Sequence, residues 1–259
     1  MTLVPIINTD QASAWDGDEG SYWVVNESRY ERMLAPYTVS LLQAAQLREP
    51  DHVLDVGCGC GGSTRAAAWQ VPRGSALGVD LSRAMLARAR QRATEESLLN
   101  VRFEQADAQV GAFPTGVYDA VISRFGVMFF SDPLQAFKNL RRSLKVGGTL
   151  TAIVWQGLEH NAWIRDLRKV LAAGRTLPTP PSGTPGPLGL ADPDYTRHIL
   201  SSAGFGQTTF SPTYSPLFYG ETTDAAFAFI CGMPLVETLL EPLSKSEREK
   251  TLGVLRAFV

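Results

Sequence analysis

The chain has 259 residues, of which 44% are hydrophobic and 19% charged, and its formal net charge is −2. A chain of this length can bury the core of one large α/β domain. The balance of 24 basic and 26 acidic side chains lacks the cationic excess of a nucleic-acid-binding protein. The three cysteines, Cys58, Cys60 and Cys231, do not form the pattern of a disulfide framework, so we expect a reducing, cytoplasmic location.

The first twenty residues have no basic start and no long apolar run, so no signal peptide is expected. No apolar run in the chain is long enough for a membrane span. We therefore expect a small molecule as the substrate, and neither a nucleic acid partner nor a membrane span. The sequence leaves open whether the protein is a monomer or a homodimer.

The segment before the first strand is helical in character over residues 11–47. Apolar side chains recur there at spacings of three and four, which predicts one buried stripe on a helix. The residues of this stripe are Tyr30, Met33, Leu34, Tyr37 and Leu41. We expect residues 1–48 to form a helical cap that belongs to the same domain as residues 49–259.

Short apolar runs alternate with helical patterns from residue 52 to residue 173. Strands are predicted at 52–57, 75–80, 101–107, 117–124 and 148–156, with helices at 63–71, 82–97, 132–145 and 161–173. This alternation, with nearly continuous apolar strands, predicts an α/β fold with a doubly wound, mostly parallel sheet. Such sheets bind their ligands beyond the carboxyl ends of the strands.

The composition changes after Ala173. Residues 174–190 are rich in proline and glycine, which predicts a loop or lid. A helix is expected near residues 192–204 and an irregular sixth strand at about 206–216, where Pro212 and Pro216 exclude a central position in a sheet. Two helical segments are expected after it, as C-terminal helical additions.

The stretch VLDVGCGCGG, residues 53–62, predicts a buried strand that runs into a glycine-rich turn. Gly57, Gly59 and Gly62 match the G-x-G-x-x-G spacing of a dinucleotide site. Asp55, two residues before the first glycine, favours a different ligand, because a carboxylate there repels a pyrophosphate and suits an ammonium group. S-adenosylmethionine (SAM) carries an ammonium group and a sulfonium, and has no phosphate.

This motif and the elements that follow it resemble the class I SAM-dependent methyltransferases, over about residues 10–215. The resemblance implies a Rossmann-like methyltransferase fold, with SAM as the cofactor and S-adenosylhomocysteine (SAH) as its product. It places Gly57, Cys58 and Gly59 under the methionine part of the cofactor. Asp80, in LGVDLS, with Leu81 beside it, takes the position of the acid that accepts from both ribose hydroxyls.

Later segments carry further parts of the resemblance. Asp107 and Ala108, in QADAQ, take the place of the residues beside the adenine amino group. Ser123 and Arg124, in YDAVISRFGVMFF, end the fourth strand beside the cofactor, although both are also compatible with a structural role. The segments AWDGDEGSYWVVNESRYERMLAPY and SRFGVMFFSDP are most similar to bacterial small-molecule methyltransferases near the ubiquinone/menaquinone C-methylating group.

Within the cap, Trp23 and Tyr30 resemble the aromatic residues that close over SAM in this family, and ordinary core packing is the alternative. His160 follows the fifth strand on the ligand side and is the candidate general base. Two cysteine thiolates without nearby histidines make a poor zinc site, so no metal is expected.

Three functions are compatible with these residues. The first is a SAM-dependent methyltransferase that acts on oxygen or carbon of a small, aromatic or apolar metabolite. The second is a protein that binds SAM without methyl transfer, either as a structural element or to promote a reaction such as a cyclisation. The third is a NAD-dependent oxidoreductase, for which Asp55 has no purpose and no Tyr-x-x-x-Lys pair is present.

The family's sheet usually ends with an antiparallel seventh strand between strands five and six. No β-branched run follows the predicted sixth strand, and an empty slot between two strands would leave backbone groups unpaired. Either residues 211–219 supply this strand by turning near Pro212, or the natural chain continues past Val259. We favour the second, because residues 211–215 contain no Gly or Asn for a tight hairpin turn.

Overall fold

The computed structural model describes residues 6–259, so residues 1–5 of the predicted cap lie outside the described residues. Within residues 6–259 the chain forms five strands and eleven α-helices. The strands are His52–Val56 (β1), Ser75–Asp80 (β2), Val101–Gln105 (β3), Tyr118–Arg124 (β4) and Leu144–Ile153 (β5). The helices are Thr9–Trp15 (α1), Asp18–Val25 (α2), Glu27–Ala45 (α3), Gly62–Gln70 (α4), Arg83–Glu95 (α5), Pro133–Ser143 (α6), Ala162–Leu171 (α7), Pro193–Ser202 (α8), Thr223–Cys231 (α9), Pro234–Leu240 (α10) and Lys245–Phe258 (α11).

The strands form one sheet in the order β3-β2-β1-β4-β5, and all neighbouring strands are parallel. Helices flank this sheet, which confirms the predicted α/β, Rossmann-like fold. The central strands are apolar because they are buried, as Leu54 and Val121 show with 0% exposure. The order reverses between β1 and β4, so a crevice forms beyond their carboxyl ends.

Helix α3 carries the predicted apolar stripe, and all five of its residues are buried. The helix packs against β4, β5 and α4. It is therefore a layer of the domain core as well as the last part of the N-terminal helices. Two hydrogen bonds join α2 and α3 to α9, which is distant in sequence. The Tyr22 hydroxyl donates to the Phe229 carbonyl, and the Arg29 guanidinium donates to the Ala225 carbonyl.

The predicted sixth strand is wrong. Residues 205–220 contain no regular strand or helix, and the sheet of the described residues has five strands. Pro212 and Pro216 have no backbone N–H to donate to a strand ladder. The prediction of two final helices is also corrected, because the residues described after 221 form three, with α10 separated from α9 by a short break at Gly232–Met233.

Within the part of the chain that the structure covers, no single helix has both the length and the apolarity of a membrane crossing; α9 and α10 reach that composition only as a pair, bent by 72°.

Candidate functional site

The turn after β1 is a tight glycine loop that lies against the end of β2. Gly57 and Gly59 have positive φ angles of 69° and 55°, which glycine adopts without steric cost. The N–H of Gly57 donates to the carbonyl of Val79 at 2.9 Å. A Cβ at Gly57 would lie 2.7 Å from the Cα of Gly126. Only glycine therefore fits here, and the loop presents bare backbone to the space above it.

Asp55 is the last residue but one of β1, two residues before the glycine loop, and is 0% exposed. Its Oδ2 accepts hydrogen bonds from the hydroxyls of Ser63 and Thr64, both at 2.7 Å, which ties the strand to the first turn of α4. Its Oδ1 has no hydrogen-bond partner among the described residues. Burial raises the pKa of Asp55 to about 6, although hydrogen bonds from Thr64 and Ser63 lower it.

Asp80 stands at the carboxyl end of β2. Its Oδ2 accepts from the Gly59 N–H at 2.8 Å and its Oδ1 from the Ser82 N–H at 2.9 Å. Burial raises the pKa of this carboxyl, while the N–H groups of Ser82 and Gly59 act in the opposite direction. Because each oxygen has two lone pairs, the carboxylate keeps capacity for hydroxyl groups of a ligand.

Asp107 follows β3 and anchors the N-terminal segment. Its Oδ2 accepts from the N–H groups of Ile7 and Asn8 at 3.0 and 2.9 Å, and its Oδ1 accepts from that of Gln109 at 2.9 Å. The residue is 2% exposed, and Ala108 beside it is buried as well. A ligand amino group at Asp107 has to share this carboxylate with the segment that leads into α1.

Arg124 ends β4, and its charge is neutralised by Glu31 of α3. Its guanidinium donates to Glu31 Oε1 at 2.7 Å and to Thr38 Oγ1 at 2.7 Å, both in α3. Arg124 is 9% exposed. The ion pair therefore fixes α3 over the end of β4 and leaves the guanidinium already neutralised.

The two residues beside Arg124 have different roles. Ser123 is 0% exposed, and its hydroxyl donates to the Val56 carbonyl at 2.7 Å and accepts from the Gly126 N–H at 3.2 Å. Phe125 has a positive φ of 62°, an uncommon conformation for a non-glycine residue that is concentrated at functional sites. Its ring stacks on Trp155 with centroids 4.0 Å apart.

The N-terminal helices present an aromatic surface to the same region. Trp23 and Tyr30 lie face to face, with ring centroids 3.7 Å apart, and Trp15 meets Trp23 edge-on at 5.9 Å. Burial raises the pKa of Tyr30, so its hydroxyl is neutral at physiological pH.

These elements enclose a cavity of about 460 Å³ beyond the carboxyl ends of β1, β2 and β4. The predicted site residues in its wall are Trp23, Tyr30, Gly57, Cys58, Gly59, Asp80, Leu81, Asp107, Ala108 and Arg124. The structure thus brings together residues that the sequence separates by up to a hundred positions.

Three predicted residues lie outside this wall. Asp55 and Ser123 are one layer deeper, where they brace the glycine loop and the end of β4. Both side chains are fully buried, so any effect of theirs on a ligand would be exerted through the loop and the strand end that they support. His160 is in a 3-10 turn, Leu158–His160, with its side chain 59% exposed and no place in the wall. His160 does not border the cavity in this structure, and its role as a base stays a prediction.

Several residues of the cavity wall carry no motif that the sequence analysis identified. That wall includes Phe125, Trp155, Trp163, Leu217, Tyr219 and Met233. Phe125 directly follows the motif residue Arg124, so its position at the carboxyl end of β4 was predictable from the sequence. The residues from 217 onwards carry no motif, because an apolar wall needs only hydrophobic side chains of suitable size.

The charges of the wall decide which cofactor fits. Its carboxylates are Glu19, Asp80 and Asp107, and its only cation among the described residues is Arg124, which Glu31 neutralises. An anionic wall disfavours a pyrophosphate and suits a phosphate-free ligand with a positive charge. The bare glycine loop, the Asp80 carboxylate and this charge balance fit SAM better than NAD.

Burial raises the pKa of Cys58 and Cys60, so both thiols are protonated at neutral pH. Among residues 6–259, no group of three histidine, cysteine or acidic side chains is placed to hold a metal ion.

Comparison with known proteins agrees with this geometry. Residues 53–148 match a family model described as a methyltransferase domain. An uncharacterised protein of Mycobacterium bovis is 30% identical over 233 residues, which cover 85% of this chain and 82% of the relative. A demethylmenaquinone methyltransferase of Thermus thermophilus is 37% identical over 106 residues, which cover 41% of this chain and 48% of the relative.

In the first curated relatives the match spans only 36% to 59% of their own length. Among solved structures, the YcgJ protein of Bacillus subtilis is similar with a TM-score of 0.57 and 20% identity, covering 83% of this chain and 88% of that one. This similarity supports the fold.

The parallel sheet, the glycine loop after β1 and the acid after β2 define a Rossmann-like protein with a site for a phosphate-free nucleoside cofactor. Together with the family model over residues 53–148 and the methyltransferases among the relatives, they show that the chain contains a domain of the SAM-dependent methyltransferase family. SAM is the cofactor of that family.

Proposed function

We propose that this protein transfers the methyl group of SAM to an oxygen or carbon atom of a small aromatic or apolar metabolite. The observation that carries the proposal is the composition of the cavity. One end has the glycine loop and Asp80, and the other end is lined by aromatic and aliphatic side chains. The first end suits the cofactor, and the second suits a flat, apolar acceptor.

Methyl transfer from a sulfonium is a displacement that depends above all on alignment, so a site that holds both reactants in line supplies much of the rate enhancement. When bound, the cofactor supplies an electrophilic methyl group. Backbone at Gly57 and Gly59 allows close approach, Asp80 accepts hydrogen bonds from hydroxyl groups, and the rings of Phe125 and Trp155 orient a planar acceptor. The apolar wall also keeps water away from the transferred group.

The acceptor must also lose a proton. Among the described residues no histidine lines the cavity. An acceptor that is acidic by itself, such as a phenol or an enolisable dicarbonyl, therefore suits the site better than an alcohol, which needs a strong base. This argument favours methylation at a phenolic oxygen or at an activated carbon.

Two segments serve as covers in this proposal. The N-terminal helices, up to residue 48, contribute Trp15, Glu19, Trp23 and Tyr30 to the wall. Residues 174–190 contain no helix or strand after Gly174, and Pro185, Gly186 and Pro187 reach the cavity. Helix α1 has no buried residue and α2 has only Gly20, and weakly packed segments of this kind commonly open and close over an enzyme's site.

The test is incubation with SAM labelled in its methyl group and a panel of phenols, hydroxyquinones and dicarbonyl compounds. We expect SAH to form together with a labelled product, and NMR of that product distinguishes a methoxy group from a C-methyl group. Asp80→Asn is the matched control and should reduce both signals. SAM binding without turnover across the panel would favour a protein that uses SAM without methyl transfer. Absence of SAM binding would contradict the proposal.

A further inference from the structure

Glu19 is an unpartnered carboxylate in the cavity wall. It belongs to the first turn of α2, and no hydrogen bond or ion pair to its side chain exists among the described residues. The other two wall carboxylates differ, because the oxygens of Asp80 and Asp107 accept backbone N–H groups. Glu19 is thus the wall's free negative charge.

Aromatic residues of the N-terminal helices line the cavity together with Glu19. Trp23 lies four residues further along α2, on the same face, and Trp15 meets Trp23 edge-on. Both rings line the cavity with Glu19. Partial burial without a compensating cation raises the pKa of Glu19. An acid in the first turn of a helix interacts favourably with the helix dipole. That interaction alone does not require the acid to lie in the wall of a cavity beside aromatic rings.

A carboxylate and aromatic rings in one cavity wall attract an organic cation together, because the negative charge and the electron-rich ring faces both favour a positive group. We infer that Glu19, with Trp15 and Trp23, forms a cation-binding wall that holds either the sulfonium of SAM or a positively charged group of the acceptor. The inference rests on the proposed function.

The charge of the cofactor changes during the reaction that we propose. The carbon–sulfur bond breaks with its electron pair left on sulfur, and the methyl group bonds to the acceptor, so a cationic sulfonium becomes a neutral thioether. If Glu19 faces the sulfonium, it favours SAM over SAH. It then weakens the binding of the product and helps its release.

The test compares wild type, Glu19→Gln and Glu19→Asp by calorimetry with SAM, with sinefungin, which has an amine in place of the sulfonium, and with SAH. Asp18→Asn is the matched control, because it removes a neighbouring acid of the same helical turn that is exposed and outside the wall. In Glu19→Gln we expect the preference for SAM and sinefungin over SAH to fall about fivefold, the size of one cation–π or charge-assisted contact. The control should change it less than twofold, and Glu19→Asp should keep part of it.

A second arm identifies the source of the cation. SAH-saturated wild type and Glu19→Gln are titrated with 2-phenylethylamine and with the neutral 2-phenylethanol. If Glu19→Gln loses affinity for the amine alone, Glu19 is assigned to the acceptor instead of the cofactor. If Glu19→Gln, shown to be folded by circular dichroism, leaves the SAM/SAH preference and both probe affinities unchanged, the inference is overturned. Failure of the wild type to bind SAM and SAH would instead overturn the proposed function.

Discussion

Arg124 of β4 and Glu31 of α3 form a two-pronged ion pair, with N–O distances of 2.7 and 3.1 Å. The Arg124 side chain is 6% exposed and that of Glu31 24%. The pair joins the wall of the cavity to the longest of the N-terminal helices.

Glu31→Gln should destabilise the protein strongly, because it leaves the Arg124 charge buried without its partner. Loss of one member of a buried pair typically costs about 3–5 kcal/mol, and we expect a value near the lower end because Thr38 still accepts from Arg124. Urea unfolding measures the change. The control is Glu49→Gln, which breaks the exposed pair of Arg73 and Glu49 and should cost less than about 1 kcal/mol. Equal effects of the two variants would contradict this prediction.

Replacement of Asp80 by Asn should weaken SAM binding. The variant removes a charged acceptor and costs about 2 kcal/mol, or about thirtyfold in Kd. Calorimetry gives the affinity, and Asp194→Asn, at a side chain 90% exposed and outside the cavity wall, is the control. An unchanged affinity of the Asp80 variant would show that the ribose binds elsewhere.

Hydrogen exchange should slow in two segments when SAM is added. These are residues 6–25 and 174–190, which contribute to the cavity wall and whose opening would admit the cofactor. Amides in β1 and β4 should change little, because they are already protected inside the sheet. Equal exchange of both segments with and without SAM would argue against a cover that closes.

The stability of the protein should depend on pH through Asp55. Its pKa is raised to about 6 by burial, against 3.8 for the unperturbed group, so the folded state binds more protons than the unfolded state between these values. The free energy of unfolding therefore falls as the pH rises through this window, by about 3 kcal/mol at most from this residue. The loss of stability caused by ionised Asp55 is complete above about pH 6 and absent below about pH 4.

Asp55→Asn keeps an oxygen for the two hydroxyls and removes the charge. The difference in unfolding free energy between this variant and wild type should grow in favour of the variant from pH 4 to pH 7. Urea titrations at several pH values measure it. A difference that is independent of pH would mean that Asp55 titrates normally in the fold.

His160→Ala should leave methyl transfer unchanged within about twofold, because an exposed side chain outside the wall has no contact to lose. Initial rates with the acceptor identified by the panel measure this. A loss of kcat of a hundredfold, in the range that general-base catalysis contributes, would restore His160 as a base and require the loop after β5 to move.

The sequence predicted the parts of this protein that follow from local rules. The alternation of strands and helices located β1 to β5, and the glycine spacing after β1 identified the loop in which Gly57 needs a left-handed backbone. The same rules failed at residues 206–216, where apolar residues between prolines resembled a strand and formed none. They could not predict that Asp55 and Ser123 are fully buried, because position along a strand does not tell whether a side chain reaches a cavity or supports its wall.

The aromatic and apolar residues of the cavity wall that lie outside the motifs were beyond prediction from sequence. Phe125, Trp163 and Tyr219 are ordinary apolar or aromatic residues on separate elements, and only their packing makes them one surface. The position of Glu19 in the cavity wall was not predictable either, because a single acid in a helical segment is usually solvated. Its significance comes from what surrounds it and from the absence of a partner among the described residues.

The walls of the cavity come from both ends of the described chain, with Asn8 to Tyr30 on one side and Leu217 to Thr238 on the other. A chain that leaves the ribosome can form the first strands and the glycine loop early, since N-terminal parts fold first during synthesis. It cannot enclose a ligand until Thr238 has been made. Nascent chains arrested before this point will expose the rings of Trp15, Trp23 and Tyr30 to the surrounding medium, where apolar surface invites chaperones. Closure of the cavity around a ligand is thus confined to chains whose synthesis has passed that residue.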